Sequence, residues 1–132
     1  MSDNNERFRR NHFQRAVPSI AVGDCVQALG FYCDVLGFQK DFDDSILGVK
    51  RTLFAGVSRG ECELTLNQHD RQTYRLTIGC RVDSVDLLYE EYCARGVKII
   101  LPPQDEVTGV RHMAIEDLYG HQLHFNSPIK PE

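Results

Sequence analysis

Apolar and polar positions alternate along most of the chain, and this two-residue period gives way twice to a helical one. Arg15–Val22 alternates and carries β-branched residues, which predicts a strand. Gly23-Asp24 breaks it, with Asp24 as the expected helix N-cap. Val26, Leu29, Phe31, Tyr32 and Leu36 then recur at helical spacing, and Gly37 falls at the C′ position where helices end. Phe38–Phe42 is a predicted short strand, Asp43-Asp44-Ser45 a turn and Val49–Val57 a strand. Ser58-Arg59-Gly60 is a hairpin turn leading into a strand over Glu61–Asn67. The order then repeats. Tyr74–Val82 is a predicted strand, Asp83 a cap, and Val85, Leu88, Tyr89 and Tyr92 mark a helix closed by Gly96. Val97–Leu101 is a strand, and Pro102–Gly109 is a loop kept out of helix by its prolines. Val110–Glu116 and His121–Phe125 are strands joined by the turn Asp117-Leu118-Tyr119-Gly120.

Shifting the chain by 59 residues lays Asp24 on Asp83, Val26 on Val85, Leu29 on Leu88 and Gly37 on Gly96. Cap, core face and terminator thus recur in one order, in matching strand–helix–strand contexts. A period of about half the chain excludes a solenoid and predicts a pseudo-symmetric α+β domain. Residues 1–14 are expected to form a flexible basic arm. Residues 15–128 form a single domain with halves at about 15–70 and 71–128.

Strand parity sorts the side chains by face. Cys62, Leu64 and Leu66, then Leu76, Ile78, Cys80 and Val82, then Met113, Ile115, Leu123 and Phe125 are assigned to the helix-covered side. The opposite sides are polar. Such faces are either solvated, as antiparallel sheets allow, or curve together around a cleft. The candidate ligand-binding residues on them are Phe54, Glu63, Thr65, Arg75, Thr77, His112, Glu116, Gln122 and His124.

Charge narrows the partners. The first fifteen residues hold four arginines against Asp3 and Glu6, a net +2, which leaves −6 on the rest of a chain whose total is −4. An acidic body argues against nucleic acid and tolerates a cationic ligand. No apolar run reaches membrane-spanning length, and the polar start does not resemble a signal peptide. Five cysteines without a CxxC pair read as reduced, packed thiols in a cytoplasmic protein. There is no nucleophile motif, phosphate-binding loop or HExxH spacing, so no catalytic residue is assigned.

Three stretches carry a resemblance: Leu36-Gly37-Phe38-Gln39-Lys40-Asp41-Phe42, Gly56-Val57-Ser58-Arg59-Gly60-Glu61, and Gly109 through Phe125. Together with the two βαβββ halves they resemble the vicinal-oxygen-chelate superfamily of glyoxalases, extradiol dioxygenases and bleomycin-resistance proteins, most of all the bleomycin-resistance branch. The resemblance spans roughly residues 16–126. It implies tandem βαβββ modules forming a cupped mixed sheet, the glyoxalase/bleomycin-resistance fold. The superfamily's enzymes hold a divalent metal on four strands. By register those positions are Val17, Glu63, Thr77 and His124, of which only Glu63 and His124 are good ligands, with His112 or His69 as substitutes. The branch implies a homodimer that sequesters a small molecule without catalysis or cofactor, in a cleft between subunits. The absence of tryptophan and the short Pro102–Gly109 loop argue against bleomycin itself as the ligand. The alternative is a metal-dependent glyoxalase-like lyase or isomerase with an atypical ligand set.

Overall fold

The computed structural model describes residues 2–48, 52–71 and 74–129. After a helix α1 (Ser2–Arg9), the first half runs β1 (Ser19–Val22), α2 (Cys25–Gly30), a wide helical turn (Phe31–Val35) and β2 (Gln39–Asp43). A 3-10 turn (Asp44–Leu47), β3 (Phe54–Arg59) and β4 (Cys62–Gln68) complete it. The second half is β5 (Thr77–Arg81), α3 (Val85–Ala94), β6 (Lys98–Asp105), β7 (Val110–Glu116) and β8 (Gln122–Pro128). Each half forms one four-stranded mixed sheet, in the orders β1-β4-β3-β2 and β5-β8-β7-β6. The first and last strands pair parallel in both, Ser19 opposite Thr65 and Thr77 opposite Gln122. The expected α+β architecture of two βαβββ halves is present.

The duplication carries a local irregularity. Asp24 caps α2, accepting a hydrogen bond from the Gln27 backbone N–H at 3.0 Å. The cap of α3 is Ser84, bonded to the Leu87 N–H at 3.2 Å, and not Asp83. The caps are therefore 60 residues apart, while the terminating glycines Gly37 and Gly96, both at positive φ, are 59 apart. The wide turn Phe31–Val35 accommodates the first half's extra residue. It also changes which residues correspond: the buried faces are Cys25, Ala28, Tyr32 and Val85, Leu88, Tyr92, whereas Val26 is 62% exposed.

The apolar strand faces from both halves, with α2 and α3, merge into one core. Polar ties lock the junction. Tyr32 donates to Asp117 Oδ2 at 2.8 Å, Tyr92 to the Leu36 carbonyl at 2.8 Å, and Arg59 makes a paired contact with Glu91. His121 is fully buried: its Nδ1 accepts from the Leu76 N–H at 3.0 Å, and its Nε2 lies 2.7 Å from the Ala21 carbonyl. That pairing makes Nε2 the protonated nitrogen of a neutral ring. Burial first and Asp117 second hold the Tyr32 hydroxyl far above the usual phenol range.

Several boundaries differ from the sequence pattern. The first strand begins at Ser19 and not Arg15, and the fifth at Thr77 and not Tyr74. Of the expected strand Val49–Val57, residues 49–51 lie outside the described residues and the strand begins at Phe54. The first hairpin turns at Gly60-Glu61, because Arg59 pairs with Cys62, so Ser58 and Arg59 belong to the strand. Part of the expected loop Pro102–Gly109 is strand: β6 runs through both prolines to Asp105 with shifted register. It is an edge strand, where a missing N–H breaks no ladder. In the arm, residues 2–9 are helical, and residues 5–15 are exposed.

Candidate functional site

Eight of the nine sequence-derived ligand residues fall on two separate sheets. Phe54, Glu63 and Thr65 lie on the polar face of the first. Thr77, His112, Glu116, Gln122 and His124 share that of the second. Arg75 precedes β5 and does not stand on a strand face. Its side chain lies over Gly120, where a Cβ would come within 2.4 Å of Arg75 Nε. Among the described residues no hydrogen bond joins the two sets. Glu63 alone of the nine lines a cleft of about 1020 Å³ between the halves on the apolar side.

On the first sheet, Phe42 and Phe54 form an aromatic platform with ring centroids 5.5 Å apart. Both are more than a third exposed. Gly56, directly opposite Phe42, makes this possible: a Cβ there would sit 2.2 Å from the Phe42 ring. Simple parity did not point to Phe42, because an irregularity between Lys40 and Phe42 resets which face the strand presents. Beside the rings, Ser58 donates to Asp41 at 3.0 Å, Asn67 donates to Ser19, and Arg15 pairs with Glu63 at 3.0 Å.

On the second sheet, two imidazoles form a relay. His112 Nε2 lies 2.8 Å from His124 Nδ1, and His124 Nε2 lies 2.9 Å from Gln122 Oε1. At the other end His112 Nδ1 lies 3.0 Å from Glu106 Oε1, which also accepts from Gln104. As oriented, the three bonds made by the rings place three ring protons on two imidazoles, one more than two neutral rings hold. Turning the Gln122 amide over satisfies every bond with neutral rings. The amide orientation and the charge of the pair are therefore linked. Desolvation first and His112 second hold His124 below the usual imidazole range. Hydrogen bonds from Gln104 and His112 hold Glu106 below the usual carboxylate range. Lys98 pairs with Glu116 at the sheet edge. Glu106 sits in a segment read as a loop, so nothing in the pattern linked it to His112.

These residues do not fit a superfamily metal. Glu63 is paired with Arg15, both nitrogens of His124 are engaged, and the two stand on different sheets. Strand pairing sets Gln122, not His124, opposite Thr77, and Val17 precedes β1. His69 lies exposed beyond β4. Among the described residues, no group of three His, Cys, Asp or Glu is placed to hold a metal ion.

A sequence profile of the Glyoxalase/Bleomycin resistance protein/Dioxygenase superfamily matches residues 9–125. The chain belongs to this superfamily. Among solved structures it is similar to the bleomycin-binding protein of Streptomyces verticillus in complex with copper(II)-bleomycin. Identity is 28% and the TM-score 0.72, over 89% of this chain and 98% of that one. TioX from Micromonospora sp. ML1 shares the fold at 19% identity and TM-score 0.76, over 88% and 100% of the chains. So does the bleomycin resistance determinant encoded on transposon Tn5, at 19% and 0.74, over 89% and 100%. No curated protein matches the chain. Among the described residues, no helix is long and apolar enough to cross a membrane.

Proposed function

We propose that the protein is a non-catalytic, bleomycin-resistance-like binder that sequesters a small molecule in clefts between two copies of the chain. The observation that carries this reading is the partial exposure of the polar side chains on both sheets in a chain whose core joins those sheets through their apolar sides. One copy offers the phenyl platform and one the imidazole relay. Facing the first sheet of one copy with the second sheet of its partner gives a cleft with an aromatic wall and a polar wall. A two-fold dimer makes two such clefts.

The likeness to a bleomycin-binding protein supports the binder class, and the acidic body suits a cationic ligand with a planar, partly aromatic portion. Phe42 and Phe54 take the stacking role that tryptophan is not there to fill. Part of the short Pro102–Gly109 segment is strand, so the two sequence objections to bleomycin lose their force and it serves as the probe. No resident cofactor is part of this reading. The five cysteines, all free, suit a cytoplasmic protein. Light scattering at micromolar concentration, followed by calorimetric titration with bleomycin as the probe, tests the reading. The expected result is a dimer that binds with micromolar affinity or better. A monomer, or a dimer that leaves the probe unbound at millimolar concentration, would overturn it.

A further inference from the structure

On the apolar side of the sheets, away from both polar faces, two cysteines from opposite halves meet. Cys62 opens β4 and Cys80 lies within β5, and their sulfurs are 3.0 Å apart. Both are half-buried, and both line the cleft between the halves, which gives a small solute a route to them. We propose that Cys62 and Cys80 form a redox-active thiol pair that closes a disulfide across the two halves when a hydroperoxide enters this cleft.

The other cysteines differ in setting. Cys25 is fully buried, and desolvation first, with Asp44, Asp24 and Asp43 adding to it, raises its thiol to about 11. Cys33 is held above the usual thiol range, by desolvation first. The hydrogen bond between the two sulfurs, in which either can donate, holds Cys80 below that range and Cys62 above it. The pair is set as one attacking and one resolving thiol, and that polarity makes Cys80 the attacking one, which trapping of its sulfenic acid tests.

The chemistry balances in two steps. The Cys80 thiolate attacks the peroxide: an S–O bond forms, the O–O bond breaks, and the departing hydroxide takes up a proton to become water. Cys62 sulfur then attacks the sulfenic acid: the S–S bond forms, the S–O bond breaks, and hydroxide leaves as water with the proton that Cys62 gives up. Two thiols and one hydrogen peroxide yield one disulfide and two waters. The sulfurs lose two electrons and the peroxide oxygens gain them. Bond formation needs the sulfurs only about 1 Å closer. A small dithiol reductant reverses the change by exchange.

The test uses the full chain. Purified, reduced protein is treated with hydrogen peroxide, quenched, denatured for thiol counting, and mapped by trypsin without reduction. The expected result is a fall from five thiols to three, with peptide 60–71 joined to peptide 76–81. Five surviving thiols, a bond to Cys25, Cys33 or Cys93, or sulfinic acid at Cys80 without a cross-link would overturn the proposal. In Cys62→Ser, Cys80 should be trapped as sulfenic acid by a carbon-acid probe. Absence of trapping at Cys80 counts against its role as nucleophile. Because the decisive mapping uses the unsubstituted chain, a variant that fails to fold does not blunt the test.

Discussion

The two halves share a plan and differ in what they display. The first sheet presents two phenyl rings over a glycine, the second two imidazoles tied to a carboxylate and an amide. Their apolar sides, by contrast, are near copies, with Tyr32 and Tyr92 at equivalent buried places. The apolar side of each half must cover the same kind of helix, which restricts it to similar packing. The polar faces carry no such constraint, and there the halves have diverged. Even the paired tyrosines show where equivalence stops. Tyr32 donates to a buried carboxylate, whereas Tyr92 donates to a carbonyl that Arg59 also serves.

That contrast predicts the largest effect. Tyr32→Phe removes a hydrogen bond to a charged acceptor and should cost about 2 kcal/mol in urea unfolding. Tyr92→Phe leaves the Leu36 carbonyl its bond from Arg59 and should cost about 0.5–1 kcal/mol. Equal costs would dissolve the distinction. Next comes the platform. Gly56→Val places side-chain atoms where the Phe42 ring lies, and that ring, 41% exposed, has room to swing away. Stability should change by less than about 1 kcal/mol, since one exposed ring contact is lost. Bleomycin affinity should fall by about tenfold, the worth of one stacking contact. Retained affinity would remove the rings from the site.

The smallest effect belongs to the relay. His124 titrates below the ordinary imidazole value in the folded chain and at that value, about 6.5, when unfolded. The unfolded state therefore binds the extra proton first as pH falls. The stability contributed by the neutral ring is present above about pH 6.5 and is lost as pH drops through the lower folded value. Glu106, also depressed, adds to acid sensitivity at lower pH. His124→Asn should flatten the fall in the urea midpoint from pH 7.5 to 5.5, and an unchanged slope would place the sensitivity elsewhere.

Much of the fold was legible in the sequence. The recurrence of Asp24, Gly37 and Gly96 disclosed two halves, and period-two runs assigned Leu64, Leu66, Ile78, Met113 and Leu123 to the core. The misplaced second cap, Asp83 for Ser84, arose because one residue is taken up inside a helical turn, where spacing gives no sign of it. The site was half legible. Parity placed Glu63, Thr65, His112 and His124 on polar faces. It missed Phe42 behind a strand irregularity and Glu106 beyond two prolines, and it set Arg75 on a strand that begins two residues later. Which faces meet is not encoded in any local pattern, because the opposing wall belongs to another copy in this account.

Complementation between damaged copies tests that account most directly. A mixed dimer of Gly56→Val and His124→Ala chains contains one cleft with both walls damaged and one with both intact. Bleomycin titration of isolated mixed dimers should find one site of wild-type affinity and one weaker than in either variant, against two of wild-type affinity in the unsubstituted dimer and two weakened about tenfold in Gly56→Val. If mixed dimers show two weakened sites and none of wild-type affinity, each cleft is built within a single chain and the account is wrong.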